Sequence, residues 1–287
     1  MRFVLILTLF WILALSAGMT NSFAGENWTY KWLPEEKYVF PAMIADPWET
    51  QCWISFNHNY KQYGKIGTRV PLYQAKLQVD PPLSRGMTAS EIVQLGVDLL
   101  VFESMRYRKA EGGGFDLDTA DTKFGAHLEW DLNGDWFFRF LAGHISAHLA
   151  DGLLNDKTKQ SYSREYLQWA VAKKYTYFTP YFSFHNIFSQ RHPKEYEGQN
   201  FFIFQWGGEA FLPLVSDKVS LFVAGDFQSR EEYSWNVNQA YMTGFRFNGT
   251  HAEPFRLLFH YYRGFDPRGE FYNEKVEVWG FGLQRAI

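Results

Sequence analysis

Between Thr122 and Leu149 polar and apolar residues alternate with a period of two. Phe124, Ala126, Leu128 and Trp130 alternate with Lys123, His127 and Glu129. After Asn133-Gly134, Leu141, Gly143, Ile145, Ala147 and Leu149 alternate with His144, Ser146 and His148. This spacing predicts two strands, because successive strand side chains point to opposite faces, and Asn-Gly between them predicts a tight hairpin turn. A half-exposed soluble sheet alternates over a shorter run; these strands reach membrane-crossing length.

The same rhythm predicts strands at residues 51–59, 71–79, 92–102, 121–132, 135–149, 162–172, 175–188, 200–212, 218–228, 235–247, 254–265 and 275–284. Residues 90–103 also carry a capping-box-like Thr88-Ala-Ser-Glu91, but Leu95, Val97, Leu99 and Val101 alternate as a strand does. The connections alternate in length. Asn133-Gly134, Lys173-Lys174, 213–217 and 248–253 are short, whereas 151–161, 189–199, 229–234 and 266–274 are mostly longer and more polar. Strands that run up and down through an outer membrane have short periplasmic turns and longer outer loops. The predicted fold is therefore all-β: a single up-and-down antiparallel transmembrane β-barrel of about 12 strands, ending in the periplasm.

Composition sharpens this expectation. Aromatic residues make up 20% of the chain, yet its mean hydropathy is slightly negative. One soluble core could not easily hide so many rings, whereas a barrel displays them to lipid and in interfacial girdles. An exported soluble β-protein that binds glycans through exposed aromatics is the other class with this composition. A net charge of −3 gives no basic signature for nucleic acid. The single cysteine, Cys52, excludes an internal disulfide framework and reads as a small apolar strand residue. Residues 1–24 have the form of a secretory signal peptide, with an apolar run over Phe3–Leu15 and small residues around Ala24. Residues 25–48, broken by Pro34, Pro41 and Pro47, read as an irregular periplasmic lead-in, and 49–287 as the barrel. An aromatic last residue, the usual signal to the barrel-assembly machinery, is absent; Trp279 and Phe281 stand nearest the end.

Several motifs together resemble a family of bacterial outer-membrane β-barrels known as a domain of unknown function. They are Phe115-Asp-Leu-Asp118, Ala120-Asp121, Phe124-Gly125, and His144-Ile-Ser-Ala-His-Leu149 followed by Asp151. Ile44-Ala-Asp-Pro47 and Tyr261-Tyr-Arg-Gly264 are similar to that family as well. The resemblance implies location and fold, with outer-membrane lipids and lipopolysaccharide as surroundings, and carries no activity.

With a two-residue turn at Asn133-Gly134, Phe140 faces His127, His144 faces Lys123, and Ser146 faces Asp121. Lys123, His127, Glu129 and His148 then join them in one lumen-facing polar network, while Leu141, Ile145 and Leu149 face lipid. The plain reading is a polar network filling a closed or narrow barrel. The catalytic alternative is a hydrolase of outer-leaflet lipid or lipopolysaccharide acyl groups, with Ser146 as nucleophile, His144 as base and Asp121 as orienter. The order His-x-Ser resembles outer-membrane phospholipase A, although Ala147-His148 replaces the Asn-Gly that follows the serine there. A metal held by His127, Glu129, His144 and His148 requires a bent strand. No cofactor motif is present; Gly112-Gly-Gly114 lacks the context of a phosphate loop. Arg139 falls on the lipid face in this register, which requires it to snorkel to the interface or a bulge to turn it inward.

Overall fold

The computed structural model describes residues 26–35, 39–59, 61–79, 90–108, 113–150, 162–192, 196–215, 218–248 and 254–285. The signal peptide expected over 1–24 lies outside the described residues. Thirteen strands form one antiparallel sheet: β1 (Glu26–Trp32), β2 (Cys52–Asn57), β3 (Lys61–Val79), β4 (Ser90–Tyr107), β5 (Phe115–Leu132), β6 (Trp136–Leu149), β7 (Tyr162–Lys173), β8 (Phe178–His192), β9 (Phe201–Val215), β10 (Val219–Arg230), β11 (Val237–Phe247), β12 (Phe255–Phe265) and β13 (Lys275–Arg285). Strands β2 to β13 pair in sequence order, and β13 closes on β2 from Gly280↔Asn57 to Arg285↔Cys52. The twelve strands expected from the alternation are the twelve of the closed barrel. The segment around 90–103 is strand, as its period of two predicted.

The wall is inside-out relative to a soluble protein. Lys65, Arg69, Asp98, Lys123, Glu129, Arg139, Glu209 and Asp226 are buried within, whereas Ile66, Leu99, Phe124, Trp169, Phe182, Phe204, Val223, Leu257 and Phe281 are exposed outside. An exposed apolar band around a polar interior is what lipid on one side and a closed lumen on the other demand. No helix among the described residues is long and apolar enough to cross a membrane, which says nothing about strands.

Two features depart from the sequence-based expectation. The hairpin turn holds three residues, so Leu132 pairs with Trp136 and His127 faces Leu141. Asn133 and Gly134 both take positive φ, 61° and 75°, and the Gly134 N–H donates to Asp131 Oδ1 at 2.7 Å. One residue of register exchanges the two faces of a strand. On β6 this puts Arg139, Leu141 and Ile145 inside, each at most 8% exposed.

The second departure is the lead-in. Glu26–Trp32 is a strand paired with β3 from Glu26↔Val79 to Trp32↔Tyr73. It occupies the edge of β3 beyond the end of the short β2. Between β1 and β2 the chain enters the barrel. Phe40, Met43, Ile44, Ala45, Asp46 and Glu49 are buried there, so this stretch is an internal segment and not an irregular leader outside.

Candidate functional site

The inserted segment, residues 39–51, runs through the lumen and is held by charged side chains of the wall. Glu129 Oε2 accepts the N–H groups of Val39 and Phe40, both at 3.0 Å, and Glu209 Oε1 accepts that of Ile44 at 2.6 Å. Lys123 Nζ donates to the Trp48 carbonyl at 2.6 Å, and Gln284 Nε2 to the Ile44 carbonyl at 3.4 Å. A segment without strand partners must satisfy its backbone elsewhere, and these side chains do so.

Glu49 projects from the segment to form ion pairs with Arg69 of β3 and, at 3.4 Å, with Arg139 of β6. Arg69 also lies 3.3 Å from Asp98 and 3.4 Å from Glu129. Apolar contacts complete the seal. Phe40 and Met43 pack on Phe137, Ala170, Ala172 and Tyr181, while Ile44 and Ala45 pack in a cluster with Trp53, Phe102 and Phe222.

The other end of the lumen is covered by two loops. In the β12–β13 loop, Arg268 pairs with Asp266 and donates to Ser104 Oγ at 2.6 Å, and the Gly269 N–H donates to Asp121 Oδ2 at 2.8 Å. In the β10–β11 turn, Glu232 pairs with Arg164 at 2.8 Å and with Arg230, and Tyr233 stacks on Phe265 at 3.9 Å between centroids. Burial alone would raise the Glu232 carboxyl, but the two guanidiniums outweigh it and hold the group below its ordinary value. The inserted segment and the cap meet where Trp48 Nε1 donates to the Pro267 carbonyl at 3.1 Å. Between them remains a cavity of about 50 Å³ lined by Asp46, Glu49, Lys123, Tyr166, His185 and Arg230, room for a few waters.

The sequence candidates divide between the two sides of the wall. Asp121, Lys123, His127 and Glu129 are lumenal and buried, as the alternation on β5 predicted. Their tasks are now specific. Asp121 anchors the cap, Lys123 and Glu129 hold the inserted segment, and His127 Nδ1 lies 3.2 Å from Asp98. A Cβ on Gly96 would stand 2.5 Å from His127 Nε2, so the glycine makes room for the imidazole.

His144, Ser146 and His148 are on the opposite face of β6 from buried Leu141, Ile145 and Ala147, and so point outward. The expected triad of Ser146, His144 and Asp121 is therefore not assembled: the barrel wall separates Asp121 from the other two. The four-ligand metal set is split in the same way, and the described residues contain no group of three or more His, Cys, Asp and Glu placed for a metal ion.

Outside the wall the arrangement is different from the expected one. Ser146 Oγ lies 2.6 Å from His148 Nε2. His144 pairs across the strands with Glu165 of β7, Nδ1 to Oε1 at 3.5 Å. Thr122 Oγ1 donates to the Ser146 carbonyl at 3.2 Å. Glu49, Arg69 and Glu165 were not singled out from sequence. Arg139 carried the useful signal: a guanidinium placed on a lipid face is costly, and a one-residue change of register removes that cost.

The closed twelve-strand sheet, with apolar residues outside and charges inside, defines a β-barrel of the outer-membrane type. The chain belongs to the family described as "Protein of unknown function (DUF1207)", which matches residues 112–286. None of the curated proteins matches it. Among solved structures it is similar to the beta domain of the Bordetella autotransporter BrkA, at 10% identity over 83% of this chain and 97% of that one, with a TM-score of 0.42. It is also similar to the CymD monoaromatic hydrocarbon channel, at 8% identity over 84% of this chain and 80% of that one, with a TM-score of 0.33.

Proposed function

We propose that the protein is a closed barrel of the bacterial outer membrane, whose lumen is a filled polar interior and not an open pore. The observation that carries this reading is the occupation of the lumen by residues 39–51, each end of which is tied to charged wall residues. The cap formed by the β10–β11 and β12–β13 loops adds a second closure. A lumen that serves as a passage needs a continuous wet path; here buried ion pairs and apolar clusters stand across it.

The short turns belong to the periplasmic side and the cap to the cell exterior, as barrels with alternating connections are oriented. Outer-membrane lipids and lipopolysaccharide surround the exposed band, and the barrel-assembly machinery inserts it. Purified protein in planar lipid bilayers tests the reading. Membranes carrying inserted wild-type protein are expected to show no steady conductance steps across a moderate voltage range. Stable, ohmic steps from every insertion would overturn it.

A further inference from the structure

We propose that the outer wall at the upper end of β6 is an acyl-transfer site for membrane lipid, with Ser146 as nucleophile and His148 as its base. Three observations converge on that patch. Ser146 Oγ and His148 Nε2 are 2.6 Å apart, the separation at which an imidazole takes a hydroxyl proton. A second imidazole, His144, stands on the same face two residues before the serine, with Glu165 Oε1 3.5 Å from its Nδ1. The patch is on the outside, where lipid reaches it without entering the lumen.

Its height on the wall selects the part of the lipid. Below it, the outward residues of β6 are Ala142, Phe140, Phe138 and Trp136, with Leu167 and Trp169 alongside on β7. Counting from Trp136 near the short turn, Ser146 lies ten residues up the strand. At about 3.4 Å per residue and a tilt of about 45°, that is about 24 Å of height, against an apolar band of about 25 Å. Ser146 therefore stands where hydrocarbon gives way to headgroups in the outer leaflet. The groups at that level are the ester carbonyls that join acyl chains to glycerol or to sugar.

The reaction balances with water as the only co-reactant. Ser146 Oγ adds to the ester carbonyl carbon while His148 Nε2 takes the hydroxyl proton. The carbon–oxygen bond to the lipid alcohol breaks, and His148 returns the proton to that alcohol. Water then adds to the acyl-serine with its proton passing to His148, and the fatty acid leaves as Ser146 recovers its proton. His144 and Glu165 act as a positioning pair on the polar side of the serine.

The test uses the full-length protein in mixed micelles, first with a phosphatidylethanolamine and phosphatidylglycerol mixture and then with purified lipopolysaccharide. Released fatty acid is measured by mass spectrometry, and a long-chain fluorophosphonate serves as the serine probe. Wild-type protein is expected to release fatty acid from one lipid class and to carry the probe on Ser146. The Ser146→Ala variant loses both signals, and His148→Ala lowers turnover by about 10²–10⁴-fold. Glu165→Gln is expected to raise KM more than it lowers kcat; a fall in kcat with KM unchanged overturns the positioning role of the pair. Because all three side chains lie on the outside of the wall, heat-dependent gel mobility verifies that each variant has folded. Release from phospholipid alone or from lipopolysaccharide alone identifies the source of the ester. No fatty acid from either lipid and no probe on Ser146, with folded protein, overturns the assignment. So does a Ser146→Ala variant as active as wild type.

Discussion

Glu49→Ala is the substitution that most directly loosens the inserted segment. Glu49 and Arg139 are buried together, with side-chain exposures of 1% and 2%. Removing the carboxylate leaves Arg69 with Asp98 and Glu129 as neighbours. Arg139 keeps only the Met43 sulfur at 3.5 Å and the Phe40 ring at 4.7 Å among its described contacts. Breaking a buried pair by deleting one partner costs about 3–5 kcal/mol, since the other charge stays buried without compensation. At about 1.4 kcal/mol per tenfold, the ratio of docked to undocked segment falls by roughly 10²- to 4000-fold. The bonds from Glu129, Glu209 and Lys123 remain, so the segment fluctuates open and does not leave for good. In planar bilayers the variant is expected to show brief conductance events where wild type is silent. The double variant Glu49→Ala/Arg139→Met removes the orphaned charge and is expected to recover much of the closed state. Silence from Glu49→Ala, with strictly additive single and double effects on stability, would refute this account of the closure.

Other perturbations test separate parts of the structure. Gly96→Ala places a Cβ 2.5 Å from His127 Nε2 and 2.8 Å from the Val70 carbonyl oxygen, and is expected to cost about 1–3 kcal/mol, read as a lower temperature for the heat-dependent mobility shift. Boiling wild-type protein in detergent is expected to change its gel mobility, which a soluble glycan-binding β-protein would not show. Glu232 has its carboxyl held below the ordinary value of 4.5 by Arg164 and Arg230, so its contribution to the cap is complete above about pH 4.5 and is lost as pH falls through the lower folded-state value. Limited proteolysis of the β10–β11 turn is therefore expected to be equal at pH 7 and pH 6 and faster near pH 3. Glu232→Gln is expected to make the turn about as sensitive at pH 7 as the wild-type turn is near pH 3.

Much of the barrel was legible because lipid and lumen impose opposite chemistries on alternate residues. The run from Phe124 to Trp130 placed Lys123, His127 and Glu129 on the lumenal side, and they are there. The face of β6 was not legible for two physical reasons. The turn holds Asn133, Gly134 and Asp135, a difference of one residue that Asp131 supports by capturing the Gly134 N–H. The upper part of β6 also reverses the usual polarity. Leu141, Ile145 and Ala147 point inward to pack with Tyr162, Tyr166 and Tyr272 beneath the cap, leaving His144, Ser146 and His148 outside. Arg139, adjacent to Phe138 and Phe140, was the residue that the two-residue turn could not accommodate without an additional device.

The inserted segment was hidden for a different reason. Residues 39–51 form no strand or helix, so no periodicity marks them, and their partners are scattered along the chain from Lys65 and Arg69 to Gln284. What distinguishes the stretch from a solvated leader is its content of Phe40, Met43, Ile44 and Trp48 around only two acidic residues, Asp46 and Glu49. β1 was hidden by the same prolines that break the stretch after it, although Trp28, Tyr30 and Trp32 do alternate.

Hydrogen exchange of the full-length protein in detergent micelles, read by mass spectrometry over residues 39–51, tests the closed lumen most directly. The Val39, Phe40 and Ile44 amides, bonded to Glu129 and Glu209, are expected to be protected to a degree comparable with the amides of β2. Exchange of the whole stretch at the rate of a free peptide, with β2 protected, would show the segment outside the barrel and contradict the account.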